Sequence, residues 1–90
     1  MDGRFRRSPA VESSPLQDEL MLFHPPSGKF CVLNRTTASI WTRLAAPSTP
    51  EEIANEVTSA FRDVTEGQAL NDVQTALTEM ISLGLVERAL

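Results

Sequence analysis

Ninety residues, of which 41% are hydrophobic and 22% charged, are enough for one small domain with a modest core. This composition excludes intrinsic disorder, and the net charge of -4 disfavours a nucleic-acid partner because the summed field repels polyanions. Apolar runs such as Leu20 to Phe23 are too short to cross a bilayer, and no secretory apolar core follows the N-terminus. The sequence therefore predicts a cytoplasmic protein.

The chain has one cysteine, Cys31, and one histidine, His24. A single cysteine excludes an intramolecular disulfide, and these two residues do not make a structural metal site. Cys31 within an apolar strand is typical of a buried small hydrophobic residue, and His24 beside two prolines is typical of a solvated loop. We therefore expect no metal, no cofactor and no catalytic thiol.

In chain order, residues 1 to 9 come first and hold three arginines and a single aromatic side chain, Phe5. Such a segment predicts a flexible N-terminal arm, with the folded domain over residues 10 to 90. The apolar runs Leu20 to Phe23 and Phe30 to Leu33 then flank a loop rich in proline, serine and glycine, which predicts a β-hairpin. A weaker strand around Val11 to Ser14 precedes the hairpin, and Pro15 limits its pairing. The predicted sheet has three strands at most.

The last strand of the hairpin is apolar on both sides. Period-two alternation sends Phe30 and Val32 to one face of the sheet and Cys31 and Leu33 to the other. Apolar groups on both faces mean that something must cover each side.

Two helices are predicted directly after the hairpin. Asn34 is a suitable N-cap for the first, which runs through Trp41 to about Ala45 and is stopped by Pro47. The segment Thr49 to Glu52 is a capping box with proline at the first helical position, which predicts the start of the second helix.

A third helix is predicted near the C-terminus. Thr65 and Gln68 form a second candidate capping box, and Gly84 suits the left-handed position after a helix. The apolar stripe between them is Leu70, Val73, Leu77, Met80 and Ile81. Three strands followed by three helices predict an α+β, winged-helix-like domain with a three-stranded antiparallel sheet.

The junction between the last strand and the first helix carries the most specific pattern. The run Gly28 to Trp41 resembles the strand-to-helix signature of PqqD-like proteins, Leu-Asn-x-Thr-Ala, with Thr37 where that family usually has alanine. The matching residues are Leu33, Asn34, Thr36, Ile40 and Trp41. Thr49 to Ile53 and Leu83 to Val86 resemble the start of the family's second helix and its closing segment. The resemblance covers about residues 10 to 88, and the chain is most similar to the stand-alone leader-peptide-binding proteins of lasso-peptide biosynthesis.

This resemblance implies a RiPP recognition element, a non-catalytic adaptor that binds the leader of a ribosomally made, post-translationally modified peptide. In the family the leader adds as a strand to the edge of the third strand, in a cleft walled by the third helix. An exposed edge offers unpaired N–H and C=O groups, so an extended peptide gains main-chain hydrogen bonds there. The edge residues implied here are Lys29, Phe30, Cys31, Val32 and Leu33. The implied helical wall is Val73, Ala76, Leu77 and Met80, with Asp72 and Glu79 as rim charges.

Several alternatives stay open at this point. A Val, Leu, Met stripe at helical spacing is also typical of plain core, so Val73 and Leu77 have both interpretations. The enzyme that receives the peptide is a lasso-pathway leader peptidase by preference, with a radical S-adenosylmethionine enzyme as the alternative. An open strand edge also allows a homodimer when no peptide is bound.

A DNA-binding transcriptional regulator is the alternative from another functional class, because a winged helix can place its third helix in the major groove. That helix, between Glu66 and Gly84, carries three acids and no Lys or Arg, so phosphate would be repelled. Only the arginines of the N-terminal arm favour DNA. No nucleophile–base pair or glycine-rich phosphate loop is visible, which predicts a protein that is not an enzyme. The sequence thus favours a peptide partner over nucleic acid or membrane.

Overall fold

The computed structural model describes residues 3–61 and 63–89. Strands and helices in these residues follow the order β1 (Arg4–Arg7), β2 (Glu12–Leu16), β3 (Glu19–His24), β4 (Lys29–Leu33), α1 (Arg35–Arg43), α2 (Pro50–Ala60), α3 (Glu66–Ser82) and β5 (Val86–Ala89). Strands β2, β3 and β4 form an antiparallel sheet in that order, and β1 pairs with β5 in a second sheet. The predicted α+β class, with a three-stranded antiparallel sheet followed by three helices, is confirmed.

Local side-chain signals start each helix where the sequence predicts. The side chain of Asn34 caps α1. At the start of α2, Thr49 Oγ1 accepts a hydrogen bond from the Glu52 backbone N–H, and Glu52 Oε1 accepts one from the Thr49 N–H. Thr65 Oγ1 accepts from the Gln68 N–H at the start of α3. Each cap satisfies a donor that has no partner inside its helix.

The core lies between the three-stranded sheet and the helices. Leu22 and Leu33 contribute from the sheet, and Ile40 and Trp41 from α1. Helices α2 and α3 pack against each other and supply half of the buried apolar cluster, and Phe5, Leu44, Leu85 and Val86 complete it. Within the described residues, no helix has the length and hydropathy that crossing a membrane requires.

The hairpin loop is fixed against the end of α3. Gly84 adopts a φ of 77°, the left-handed conformation that glycine accepts most readily. A Cβ at this position would lie 3.3 Å from His24 Cε1, so the two residues are in close contact. His24 is half-buried, with its Nδ1 2.7 Å from Ser27 Oγ. The prediction of a solvated loop histidine is therefore wrong, because this side chain packs on the helix end.

The N-terminal segment differs from the predicted flexible arm. Residues Arg4–Arg7 pair antiparallel with β5, and Phe5 is only 2% exposed. The Phe5 N–H donates to the Ser48 carbonyl over 2.8 Å, and the Ser48 N–H donates back over 3.0 Å. Across the strands Arg6 forms an ion pair with Glu87 at 2.8 Å. Residues 4 to 7 are thus part of the folded domain, while residues 1 and 2 of the predicted arm lie outside the described residues.

Candidate functional site

Strand β4 is an open edge of the three-stranded sheet. Its register with β3 sets Lys29 opposite His24 and Leu33 opposite Leu20. In such a pair every second residue of the edge strand directs its N–H and C=O away from its neighbour, and no other described strand takes them up. The opposite edge, β2, contains Pro15, which has no N–H to donate. Strand β4 is therefore the edge better suited to accept an added strand.

A groove separates β4 from α3. Its larger cavity has a volume of about 380 Å³ and is lined by Glu19, Cys31, Val32, Leu33, Asn34, Thr37, Ala76, Glu79, Met80 and Leu83. A second cavity of about 310 Å³ shares four of these residues and extends along α3 to Asp72. We call the two cavities together the β4–α3 groove. Each volume lies at the lower end of the range found for ligand pockets, about 300 to 1,000 Å³.

Helical spacing explains which residues of α3 form the wall of the groove. Asp72, Ala76 and Glu79 follow one another at intervals of four and three residues, so they share one face of the helix. Val73 and Leu77 are 0% exposed and belong to the core cluster. Val73 and Leu77 were open to two interpretations, core or groove. The structure places both in the core, and neither lines the groove.

Met80 belongs both to the core and to the groove. It is 3% exposed, yet it lines the larger cavity beside Ala76 and Leu83. A charged side chain at this position would lose water without gaining a partner and would disturb packing and binding together. Ala76 is also buried, at 5% exposed, but it lines both cavities, so it is the position at which added bulk fills most of the groove.

The strand residues predicted for the site divide between the two faces of the sheet. Cys31, Val32 and Leu33 line the groove together with Ala76, Glu79 and Met80, although the side chain of Val32 points to the same outer face as that of Phe30. Lys29 and Phe30 do not line it. Lys29 starts β4 at the hairpin loop, and Phe30 is 66% exposed because its side chain points to the opposite face. The structure therefore brings together most, but not all, of the predicted site.

Seven lining residues of the two cavities were missed by sequence reasoning: Glu19, Asn34, Thr36, Thr37, Ile40, Thr75 and Leu83. A signal existed for Asn34, since an N-cap that directly follows an edge strand must lie where strand and helix meet. Its Oδ1 accepts hydrogen bonds from both the N–H and the Oγ1 of Thr37, each 2.9 Å long, which fixes this end of the groove. The position of Glu19 at the groove depends on how β3 pairs with β4, which the local sequence does not reveal.

The groove has an apolar floor and an acidic rim. Glu19, Asp72 and Glu79 are exposed at its margins, and the two cavities have no Lys or Arg among their described lining residues. Burial raises the pKa of the Cys31 thiol, and the Glu79 carboxylate raises it further. The thiol is therefore protonated at neutral pH, whereas the thiolate is the nucleophilic form. Cys31 acts as a small apolar residue of the groove.

The three arginines of the N-terminal segment all contact other parts of the chain. Arg4 forms an ion pair with Glu52 at 2.6 Å, and Arg6 pairs across the β1–β5 sheet as described above. The Arg7 Nε donates to the Trp41 carbonyl over 2.9 Å, and its guanidinium lies 4.8 Å from the centroid of the Trp41 ring. The basic segment that favoured DNA binding is thus engaged in holding the fold together.

A family profile now identifies the chain. The profile of coenzyme PQQ synthesis protein D (PqqD) matches residues 19–86, from the start of β3 to the start of β5. The chain belongs to the PqqD family. The matched segment contains every residue that lines the β4–α3 groove. The resemblance expected from the strand-to-helix junction is confirmed.

Two solved structures are similar to this PqqD-family chain over nearly its whole length. The structure described as TbiB1 in complex with the TbiA(beta) leader peptide is 26% identical, with a TM-score of 0.83, over 94% of this chain and 98% of that chain. Lasso peptide synthetase B1 complexed with the leader peptide is 26% identical, with a TM-score of 0.80, over 92% and 96% of the two chains. No curated protein matches the chain.

Proposed function

We propose that this PqqD-family protein is a non-catalytic recognition element that binds the leader of a precursor peptide by strand addition to β4. The observation that carries the proposal is the open edge of β4 directly beside the β4–α3 groove. The presence of leader peptides in both similar structures supports it.

The groove and the edge have separate tasks in this proposal. Main-chain hydrogen bonds to β4 provide affinity for any extended segment, and the groove selects among sequences. Since side chains alternate along a strand, every second leader residue points into the groove. An apolar residue there contacts the floor formed by Cys31, Leu33 and Met80, and a Lys or Arg fits the acidic rim at Glu19 and Glu79.

Binding promotes processing by proximity. A leader held on the protein raises the effective concentration of the attached core peptide at an enzyme that docks nearby. A leader peptidase of a lasso-peptide pathway is the favoured enzyme, because one similar structure is a lasso peptide synthetase B1. A radical S-adenosylmethionine enzyme is the alternative. The cytoplasmic location and a peptide-free homodimer through the β4 edge stay predictions.

Fluorescence anisotropy of a labelled leader peptide tests the proposal. The probe is a synthetic leader peptide taken from a precursor gene of the same genome, titrated at moderate salt, with a random DNA duplex as the control. We expect saturable binding of the leader and none of the duplex, since α3 carries no Lys or Arg and the N-terminal arginines are engaged. Binding of the duplex without binding of the leader would reverse the assignment.

A further inference from the structure

The outer face of the three-stranded sheet, which points away from the helices, is uncovered and apolar. The register sets Phe30 opposite Phe23 and Val32 opposite Met21, so these four side chains share that face. Phe30 is 66% exposed, Val32 48% and Phe23 37%. The sequence predicts that both faces of β4 need a cover, and the described chain supplies one only for the face of Cys31 and Leu33.

An added strand on β4 would cover part of this outer face. Its side chains alternate, so one set points into the β4–α3 groove and the other set stands beside Phe30 and Val32. Directly opposed residues of neighbouring strands have their Cβ atoms about 4.5 to 5.5 Å apart, within contact distance. Phe23 lies one strand further away, at about 10 Å from the added strand. Phe30 and Val32 would therefore contact the added strand. Phe23 would not, because β4 lies between its own strand and the added one.

We propose that Phe30 and Val32 are specificity-determining residues that recognise the leader side chains pointing away from the groove. This inference rests on the proposed function, because it needs a leader paired with β4. The chemistry favours aromatic or β-branched residues at these leader positions, since such cross-strand pairs on one face of a sheet stabilise each other. The leader is then recognised on both sides of the strand, with the acidic groove on one side and the aromatic outer face on the other.

The test compares Phe30→Ser with Phe23→Ser. The two phenylalanines are cross-strand partners on the same face, so the substitutions are matched in residue type and sheet face, while Phe23 lies on the central strand and is the less exposed of the two. We expect about fivefold weaker leader binding for Phe30→Ser and less than a twofold change for Phe23→Ser. Amide NMR spectra of both variants control for the fold.

Two leader variants, each with one alternate set of residues replaced by serine, complete the test. The difference between wild type and Phe30→Ser should vanish for the leader that lacks the outward set and persist for the leader that lacks the groove set. Equal effects at Phe30 and Phe23, or unchanged binding by Phe30→Ser, would overturn the inference while leaving leader binding intact. Failure of the wild-type protein to bind the leader at all would instead overturn the proposed function.

Discussion

An Ala76→Phe variant that keeps its fold is expected to bind the leader at least about tenfold more weakly. Ala76 lines both cavities of the β4–α3 groove, so a benzyl group at this position extends into space that the leader side chains need. Excluding one buried apolar side chain of the leader costs about 1.5 to 3 kcal/mol, which corresponds to tenfold or more in the dissociation constant. The measurement is the anisotropy titration used for the wild-type protein.

The matched control is Ala60→Phe, an exposed position at the end of α2 that does not line the groove. This variant adds the same bulk to a helix and should bind the leader normally. If thermal unfolding shows that Ala76→Phe loses its fold, Glu79→Trp fills the same groove from an exposed position of α3. Normal leader binding by a folded groove-filling variant would place the site elsewhere.

A Phe5→Ala variant is expected to lose about 3 to 5 kcal/mol of unfolding free energy, the usual cost of removing a fully buried aromatic ring. Phe5 is 2% exposed and connects β1 to the Ser48 backbone as well as to the core. The unfolding free energy of a small domain is only about 5 to 15 kcal/mol, so this loss is a large part of the total. The midpoint of thermal unfolding should fall by about 15 °C or more.

Phe30→Ala serves as the control for this stability measurement. It is the same substitution at a side chain that is 66% exposed, so it should lower the midpoint far less. A Phe5→Ala variant as stable as Phe30→Ala would mean that β1 is not part of the cooperative domain. Such a result would restore the flexible arm expected from the sequence.

Elements that are determined by residues close together in the sequence could be predicted. The capping residues Asn34, Thr49 and Thr65 mark their helices because each side chain bonds a backbone donor three residues on. The hairpin likewise follows from two apolar runs around a turn-forming loop. The β1–β5 pair was missed because Arg6 and Glu87 come together across 81 residues of chain. An alternating segment of four residues does not by itself indicate a strand.

The sequence predicts a peptide site between β4 and α3, where the structure has a groove, but it does not predict which residues line that groove. An apolar stripe shows that a helix has a buried face, but it does not show where that face meets the strand edge. Asp72 and Val73 are consecutive residues of α3, yet Asp72 lines the groove and Val73 lies in the core. On β4 the alternation predicts that Phe30 and Cys31 point to opposite faces, but it does not show which of the two faces meets α3. Only the packing of α3 against the rest of the core decides these orientations.

Amide hydrogen exchange of the ¹⁵N-labelled protein, recorded with and without the leader peptide, tests strand addition to β4 most directly. The two edges of one sheet provide an internal comparison, β4 on one side and β2 on the other. We expect the leader to slow exchange at alternate residues of Lys29–Leu33 and to leave Glu12–Leu16 unchanged. Slower exchange along β2, or a bound leader that protects no amide of β4, would contradict strand addition at this edge.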